Sequence, residues 1–433
     1  MSVHSSGLDR TNAKKPINAN CQEKIQTGFG QTKILEFTYY VSHYHPDEDV
    51  IGLDSDYHGQ DKLRIVKALS ALPYHPVFPV SGDASSSLSS PYPRVVPQIT
   101  DRFGSRFVQD KIATATPDEK AMVFVEIIPH VAELVTDAFA NYVVQKLMED
   151  GSPSHKRIIT ECLTGNILRL SCDKHACRVI QTAIEIGDLD QKIRIAKELD
   201  GNIIRCIDDQ NADHVVQKCI EYMPQHHIPF IYQNMYGHVV ELSAHRYGCR
   251  VIQRVLEYCN DPSIQKIILS EIMQQIYWLA KDQYGNYVVQ YLLQHGARPL
   301  RSAIIKVFAG RVVGMSRGKC SSNVIEKCLI HGDYVEKQLI INEVLSSPDA
   351  LTVMVGDPFA NYVVQKVMET CDDWQLQMIL RRLKTHLGEL RGNAYGRHIV
   401  APLVKLIQTG ERTQTPPRLL QQARNAPTVA GRH

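Results

Sequence analysis

Apolar residues recur at helical spacing along most of this chain, and one amphipathic peptide occurs twice almost unchanged. Residues 139–150 read FANYVVQKLMED, and residues 359–370 read FANYVVQKVMET. In a helix, the Asn and Gln of NYVVQ lie four residues apart on one face, whereas the two valines point away from that face. Few strand signals accompany the pattern. It predicts helices with one polar face and one buried apolar face.

The motif occurs eight times at a nearly constant interval. Successive copies end 36, 36, 36, 36, 37, 36 and 39 residues apart. Such repeats are typical of solenoids, in which each unit buries its apolar side against its neighbours. We therefore predict an all-α fold, a right-handed α-solenoid (superhelical crescent) of eight helical repeats plus a capping repeat. The fifth and last residues of the eight motifs are Gln109, Gln145, Gln181, Gln217, Gln253, Gln290, Glu326 and Gln365.

The polar residues at motif positions one and five vary together in a few classes, position two is always a planar group, and positions three and four stay apolar. A polar pair at positions one and five can bond the edge of an unpaired base, and a planar group at position two can stack on a base. This arrangement predicts one base per repeat. The first positions are Ser105, Asn141, Cys177, Asp213, Cys249, Asn286, Ser322 and Asn361. The second positions are Arg106, Tyr142, Arg178, His214, Arg250, Tyr287, Asn323 and Tyr362.

A protein-binding scaffold of the armadillo or HEAT type is the main alternative, because a repeated motif can serve packing alone. Those families have periods of about 40–47 residues, longer than the period of this chain. Packing also gives no reason for paired changes at the polar positions while the inner pair stays apolar. Both observations favour base recognition.

At these residues the chain resembles the Pumilio-type (PUF) RNA-binding family, over about residues 94–409. The resemblance implies that positions one and five bond the Watson–Crick edge, that position two stacks, and that the chain runs antiparallel to the RNA. It also implies that Asn/Gln pairs recognise uracil, Cys/Gln or Ser/Gln pairs adenine, and Ser/Glu guanine. The implied target is 5′-UGUANAUA-3′. The last repeat, with Asn361 and Gln365, then takes the first base, and the first repeat, with Ser105 and Gln109, takes the eighth.

The repeat with Asp213 and Gln217 departs from the Asn/Gln pair that the family resemblance leads us to expect there. An ionised carboxylate only accepts hydrogen bonds, and uracil presents two carbonyl acceptors around one N–H donor. We therefore expect weak discrimination at the fifth base, although the family's preference would be uracil.

The resemblance further implies a cytoplasmic regulator that binds single-stranded mRNA in its 3′-UTR and represses translation or promotes decay, often by recruiting deadenylase or repressor proteins. We expect a monomer without enzymatic activity. A nucleolar relative that binds structured ribosomal RNA is a second alternative. Such relatives tend to lose the organised pattern of polar pairs that is present here.

Three regions flank the repeats. The segment 1–93 has no motif, and we predict a divergent, partly disordered region with a candidate capping helix at 61–72. A ninth copy, YGRHIVA at 395–401, has Arg397 and Ala401 at the recognition positions. An alanine side chain cannot bond a base edge, so this copy is predicted to be a cap. The tail 410–433 is predicted to be disordered.

Composition narrows the remaining possibilities. The net charge of +2 is too small to argue for a polyanionic partner on bulk charge, so RNA contact must depend on a local surface. No apolar run of about 18 residues is present, which predicts no membrane span. The 11 cysteines fall in apolar segments, as free thiols of a reducing compartment do. The segment CDKHAC (172–177) lacks a partner pair for zinc, and GMSRGKC (314–320) lacks P-loop spacing, so we expect no metal and no cofactor.

A basic residue directly follows the fifth motif position in five repeats. Such residues either contact RNA phosphates or are solvated ends of helices, and the sequence leaves both open. They are Lys146, Lys218, Arg254, Lys327 and Lys366.

Overall fold

The computed structural model describes residues 95–395, together with residues 399 and 404, and all elements in this part of the chain are helices. None of them is long and apolar enough to cross a membrane. The segment 1–93, positions 397 and 401 of the ninth motif copy and the tail 410–433 lie outside the described residues.

Each repeat contains a short first helix, a second helix that carries the motif and a third helix, and we call the second one the motif helix. The chain divides into two compact units between Ile231 and Tyr232. In the first unit, the motif helices of repeats 1–4 pack side by side. Repeat 1 comprises Val95–Ile99, Arg102–Thr114 and Pro117–Ile127, and repeat 2 comprises Val131–Leu134, Ala140–Asp150 and Pro153–Leu163. Repeat 3 comprises Ile167–Ser171, Ala176–Ile186 and Leu189–Lys197, and repeat 4 comprises Ile203–Asp208, Ala212–Tyr222 and Pro229–Gln233. Short 3-10 turns occupy Ile128–His130 and Gln225–His227.

The second unit repeats the same order, and its motif helices also pack side by side. Repeat 5 comprises Val239–Ser243, Gly248–Tyr258 and Pro262–Gln274, and repeat 6 comprises Ile276–Leu279, Gly285–His295 and Arg298–Phe308. Repeat 7 comprises Val312–Ser316, Ser321–His331 and Tyr334–Leu345, and repeat 8 comprises Pro348–Val355, Ala360–Thr370 and Asp373–Lys384. A further helix spans Leu387–Gly392.

The apolar pair at motif positions three and four forms the core, as predicted, in repeats 2–8. Val143 and Val144, for example, are completely buried. Burial of a side chain of this size stabilises the fold by about 1.5–3 kcal/mol. Repeat 1 differs, because Phe107 at position three remains 43% exposed while Val108 is buried. No described repeat precedes repeat 1, and among the described residues Lys111 of the same helix lies over that ring, with its Nζ 5.4 Å from the ring centre.

A carboxylate begins the motif helix in six repeats. Asp282, for example, accepts hydrogen bonds at Oδ1 from the backbone N–H groups of Tyr284 (2.8 Å) and Gly285 (2.7 Å). These N–H groups have no partner within the helix, and a negative charge at this end is also favoured by the helix dipole. The six capping residues are Asp101, Asp137, Asp173, Asp209, Asp282 and Asp357. This cap fixes where the motif helix starts, and therefore fixes the position of its first recognition residue.

Removal of one cap is expected to destabilise the protein. Asp282→Ala leaves the N–H groups of Tyr284 and Gly285 without their acceptor, and we expect a loss of about 0.5–2 kcal/mol in the free energy of unfolding, measured by urea denaturation. Gln283→Ala is the matched control, because this neighbouring side chain is exposed. Equal stability of the two variants would contradict the role given to the carboxylate.

A second carboxylate closes each odd-numbered repeat. In repeat 7, Glu343 on the third helix accepts hydrogen bonds from the backbone N–H groups of Gly310 and Val312, both at 2.6 Å. Gly310 has a φ of 80°, a conformation that glycine adopts without strain. The contact ties the third helix to the start of the first helix of the same repeat. Equivalent contacts are made by Glu126, Glu198 and Glu271.

Candidate nucleic-acid interface

The first-position side chains of all eight motifs are almost completely buried, with an exposed fraction of 4% or less. They therefore lie beneath the polar face rather than on it. In repeat 2, Asn141 Nδ2 donates to the backbone oxygen of Asp137 (2.8 Å) at the start of the helix. The same bond recurs between Asn286 and Asp282, and between Asn361 and Asp357, each at 2.8 Å. The asparagine side chains are thus held in one orientation.

In the three Asn/Gln repeats the fifth-position glutamine lies in front of the first-position asparagine and is bonded to it. Gln145 Nε2 donates to Asn141 Oδ1 at 2.9 Å, and Gln290 Nε2 donates to Asn286 Oδ1 at 2.7 Å. In this arrangement the glutamine has a second N–H and its Oε1 for other contacts. In repeat 2 the Oε1 of Gln145 also accepts a hydrogen bond from Thr182 Oγ1 of the next repeat at 3.4 Å. A donor next to an acceptor is complementary to uracil, which presents a carbonyl oxygen beside the N3–H group.

The second-position residues are the most exposed part of the motif. Tyr142 and Tyr287 are 51% and 49% exposed, although the residues on either side of them are buried. Arg106, Arg178 and Arg250 are also exposed. The remaining three, which are partly exposed, are His214, Asn323 and Tyr362. Within each unit these side chains form a row beside the fifth-position residues, as base stacking requires.

The two cysteine repeats present neutral thiols. Burial raises the pKa of Cys177 to about 11, and burial also raises the pKa of Cys249. Both thiols are therefore protonated and uncharged at neutral pH. Gln253 Nε2 donates to the backbone oxygen of Cys249 at 2.9 Å, whereas the buried Nε2 of Gln181 has no hydrogen-bond partner. The amide of Gln181 is thus available as a donor.

Repeats 1, 4 and 7 carry the other pairs. Gln109 Nε2 donates to Ser105 Oγ at 3.0 Å. In repeat 4, Gln217 Nε2 donates to Asp213 Oδ2 at 3.1 Å, and His214 Nε2 lies 3.7 Å from Asp213 Oδ1. In repeat 7, Ser322 and Glu326 also lie on one helix face. The buried Ser322 Oγ donates to the backbone oxygen of Lys319 at 3.4 Å, and the partly exposed Glu326 lies in front of it.

Four of the five basic residues that follow the motif are held by carboxylates. Lys146 lies 3.0 Å from Asp150, and Arg254 lies 2.8 Å from Glu257. Lys218 pairs with Glu185, and Lys366 pairs with Glu369. The fifth, Lys327, instead donates to the neutral amide oxygen Oε1 of Gln294 at 3.0 Å. Sequence reasoning missed this difference, which depends on a residue of the neighbouring repeat.

The structure describes ten of the cysteines, all of them free, and in the described part of the chain no group of three or more His, Cys, Asp or Glu residues is placed to hold a metal ion. Cys172, His175 and Cys177 therefore form no such group.

Comparison with known proteins identifies the repeats. The sequence matches the Pumilio-family RNA binding repeat in eight segments that together make up more than half of the chain. The chain belongs to the Pumilio (PUF) family. The matched segments are residues 94–128, 130–164, 166–199, 214–235, 238–273, 275–307, 311–345 and 354–383. The fourth segment begins at His214 and leaves out Asp213, the residue that departs from the Asn/Gln pair.

Two relatives from Arabidopsis thaliana show how much of such proteins the chain covers. Pumilio homolog 4 is 50% identical over 156 residues, which are 35% of this chain and 16% of the relative. Pumilio homolog 1 is 52% identical over 175 residues, which are 40% of this chain and 18% of the relative. The chain thus matches less than a fifth of the length of either Pumilio protein.

Solved structures of PUF domains have the same fold. The Puf3 RNA binding domain bound to a Cox17 RNA 3′ UTR recognition sequence (site A) is 38% identical, with a TM-score of 0.67 over 72% of this chain and 94% of that chain. PUF-8 in complex with PBE-RNA is 34% identical, with a TM-score of 0.66 over 72% and 93%. The family and the all-α solenoid of eight repeats, both predicted from the sequence, are confirmed.

Proposed function

We propose that this PUF protein binds single-stranded mRNA sequence-specifically at 5′-UGUANAUA-like elements of 3′-UTRs, and thereby regulates translation and mRNA stability. One observation carries the proposal. In each motif helix a planar or polar second-position side chain projects beside a fifth-position Gln or Glu, behind which a short first-position residue is buried. This arrangement suits a base that stacks on one side chain and bonds another.

The uracil repeats supply a donor and an acceptor. In repeats 2, 6 and 8 the asparagine accepts a hydrogen bond from the glutamine and so fixes the orientation of the glutamine amide. An amide that is already held in one orientation loses less conformational entropy when it binds a base. It also favours bases whose donor and acceptor groups match that orientation.

The guanine repeat supplies acceptors only. Glu326 is the single carboxylate at a fifth position, and guanine presents two adjacent N–H donors, at N1 and N2, on its Watson–Crick edge. Bonds from neutral donors to a carboxylate are stronger than bonds between neutral groups. We therefore assign the second base of the target to Ser322 and Glu326.

Several parts of the proposal rest on family membership. They are the cytoplasmic location, the recruitment of deadenylase or repressor proteins, the monomeric state, and the absence of enzymatic activity. Sedimentation of the protein with and without UGUAUAUA tests the oligomeric state, with one protein per RNA as the expected result.

The direct test of the proposed function is a titration at fixed salt. We expect tight binding of UGUAUAUA, weak binding of the same sequence in a duplex, and a loss of about 1–3 kcal/mol when the second base is changed to uracil, by analogy with mismatched base pairs in DNA sites. Equal affinity for UGUAUAUA and UUUAUAUA would show that the pairs do not recognise bases.

The fifth base is expected to be discriminated weakly. Asp213 is completely buried and accepts a hydrogen bond from Gln217, so its carboxylate takes the place of the asparagine found in the uracil repeats. The negative charge disfavours the uracil carbonyl oxygens, and C or A is tolerated. Asp213→Asn is expected to restore a preference for U and to tighten binding of UGUAUAUA.

The base preference at this position is measured with four oligomers that differ only at the fifth base. Each is titrated against the native protein and against the Asp213→Asn variant. A strong preference for U in the native protein that does not change in the variant would contradict the role of Asp213.

A further inference from the structure

The C-terminal halves of the motif helices carry a second pattern, beyond the residues proposed to recognise bases. Counted from the first recognition residue, the ninth helix position holds a carboxylate in repeats 2, 3, 4, 5 and 8. Each of these carboxylates forms an ion pair with a basic residue at position six of its own or the next repeat. They are Glu149, Glu185, Glu221, Glu257 and Glu369.

Repeats 6 and 7 lack this carboxylate, as does repeat 1, where Ala113 holds the ninth position and Asp110 the sixth. Gln294 and Ile330 occupy the ninth position, and Ile330 is 44% exposed. The closest comparison lies in repeats 3 and 4, where Glu185 pairs with Lys218 of the next repeat. In repeats 6 and 7 the equivalent contact joins the neutral Gln294 to Lys327, at 3.0 Å. The two contacts occupy equivalent positions in their repeats, but the neutral Gln294 does not neutralise the charge of Lys327.

Lys327 belongs to a group of basic side chains around His331. Burial lowers the pKa of His331, and four neighbouring basic side chains lower it further. They are Lys327, Arg301, His295 and Lys337. Arg301 Nη1 reaches only the backbone oxygen of Gly296, at 3.5 Å, and the buried Arg301 Nε and His331 Nε2 have no hydrogen-bond partner. No ion pair joins any of these side chains to a carboxylate in the described part of the chain.

Two acidic residues that follow His331 in the chain are engaged elsewhere. Asp333 pairs with Arg298 at 2.8 Å, and the buried Glu336 bonds Ser302 Oγ and the backbone N–H of Asp333. In the described part of the chain, Lys327 and Arg301 therefore have no carboxylate as an ion-pair partner. An excess of unpaired basic side chains on one surface is the electrostatic footprint of a bound anion.

We propose that Lys327 and Arg301, between repeats 6 and 7, bind a backbone phosphate of the RNA. This inference rests on the proposed function. Lys327 directly follows Glu326 and shares a helix face with Asn323, so it lies next to residues assigned to the second base. Because the chain and the RNA run antiparallel, repeats 7 and 6 take bases two and three. The phosphate is the one that joins those two bases. The paired lysines of the other repeats make no such contact.

The test restores the missing carboxylate. Gln294→Glu preserves the shape of the side chain and allows an ion pair with Lys327 like that between Glu185 and Lys218. We expect the slope of log affinity against log salt to fall by about 0.7, the value for one phosphate of a single strand, and the affinity at 0.1 M salt to fall about five-fold. Lys327→Gln should have the same effect. The matched control is the double variant Lys366→Gln/Glu369→Gln, which removes a neutralised pair and should leave the slope unchanged.

A second measurement locates the phosphate. UGUAUAUA oligomers that carry one neutral methylphosphonate linkage each are titrated against the native protein and the Gln294→Glu variant. The native protein should lose most affinity when the linkage between bases two and three is neutral, and the variant should be insensitive at that linkage. An equal loss at every linkage, or an unchanged salt slope in Gln294→Glu, overturns the phosphate site.

The base preferences distinguish this proposal from the proposed function. If the native protein and the Gln294→Glu variant both prefer UGUAUAUA over UUUAUAUA while the salt slopes are equal, only the phosphate site is wrong. If neither prefers UGUAUAUA, the proposed function is wrong, and the phosphate site is overturned with it.

Discussion

Replacement of Ser322 by Asn and of Glu326 by Gln is expected to change the preferred second base from guanine to uracil. The double variant recreates the pair that Asn286 and Gln290 form in repeat 6. An asparagine at position 322 finds the backbone oxygen of Gly318 in the place where Asn286 bonds Asp282, because Ser322 N–H already bonds Gly318 at 2.9 Å. The orientation that Asn286 gives to Gln290 can therefore be reproduced in repeat 7.

The expected effect is large because both preferences change. The native protein should favour UGUAUAUA over UUUAUAUA by about 1–3 kcal/mol, and the variant should favour UUUAUAUA by a similar amount. Competition titration with the two oligomers measures the reversal. Glu326→Gln alone is the control, and it should lose the preference for guanine without gaining a full preference for uracil. If the double variant still prefers guanine, Ser322 and Glu326 do not recognise the second base.

Two substitutions on one motif helix are expected to separate binding from folding. Tyr287 is half-exposed and Leu293 is completely buried, although both lie on the helix Gly285–His295. Tyr287→Ala removes a stacking surface and should weaken RNA binding by about 1–3 kcal/mol with little change in Tm. Leu293→Ala leaves a cavity in the core and should lower the free energy of unfolding by about 2–5 kcal/mol.

Calorimetry and RNA titration of both variants test this separation. Below its own unfolding transition, Leu293→Ala should keep the base preference of the native protein. A lower Tm with unchanged affinity in Tyr287→Ala would favour the alternative that NYVVQ serves packing alone.

The repeat, the helix class and the buried apolar pair were predictable because they depend on spacing within the chain. The period near 36 residues is read directly from the sequence, and the placement of Val143 and Val144 follows from helical geometry. The burial of Asn141 was not predictable from this spacing. It depends on the hydrogen bond to the Asp137 backbone and on side chains of the neighbouring repeat, which no local pattern specifies.

Contacts between repeats were the other part that the sequence did not reveal. The five basic residues after the motif look equivalent in the sequence, yet Lys327 alone among them contacts a neutral amide, because Gln294 of the preceding repeat stands where repeat 3 has Glu185. The exposure of Phe107 has a similar origin, since the described part of the chain holds no repeat before it. Such differences arise where one repeat packs against the next, and they depend on the position of the repeat in the array.

Selection of bound RNAs from a random single-stranded pool tests the central claim most directly, because it assumes no target. The account predicts that the enriched sequences share UGUANAUA, with the second base almost always G and the fifth base variable. An enriched pool without a common eight-base element, or one dominated by stable hairpins, would contradict one-base-per-repeat recognition by the motif helices.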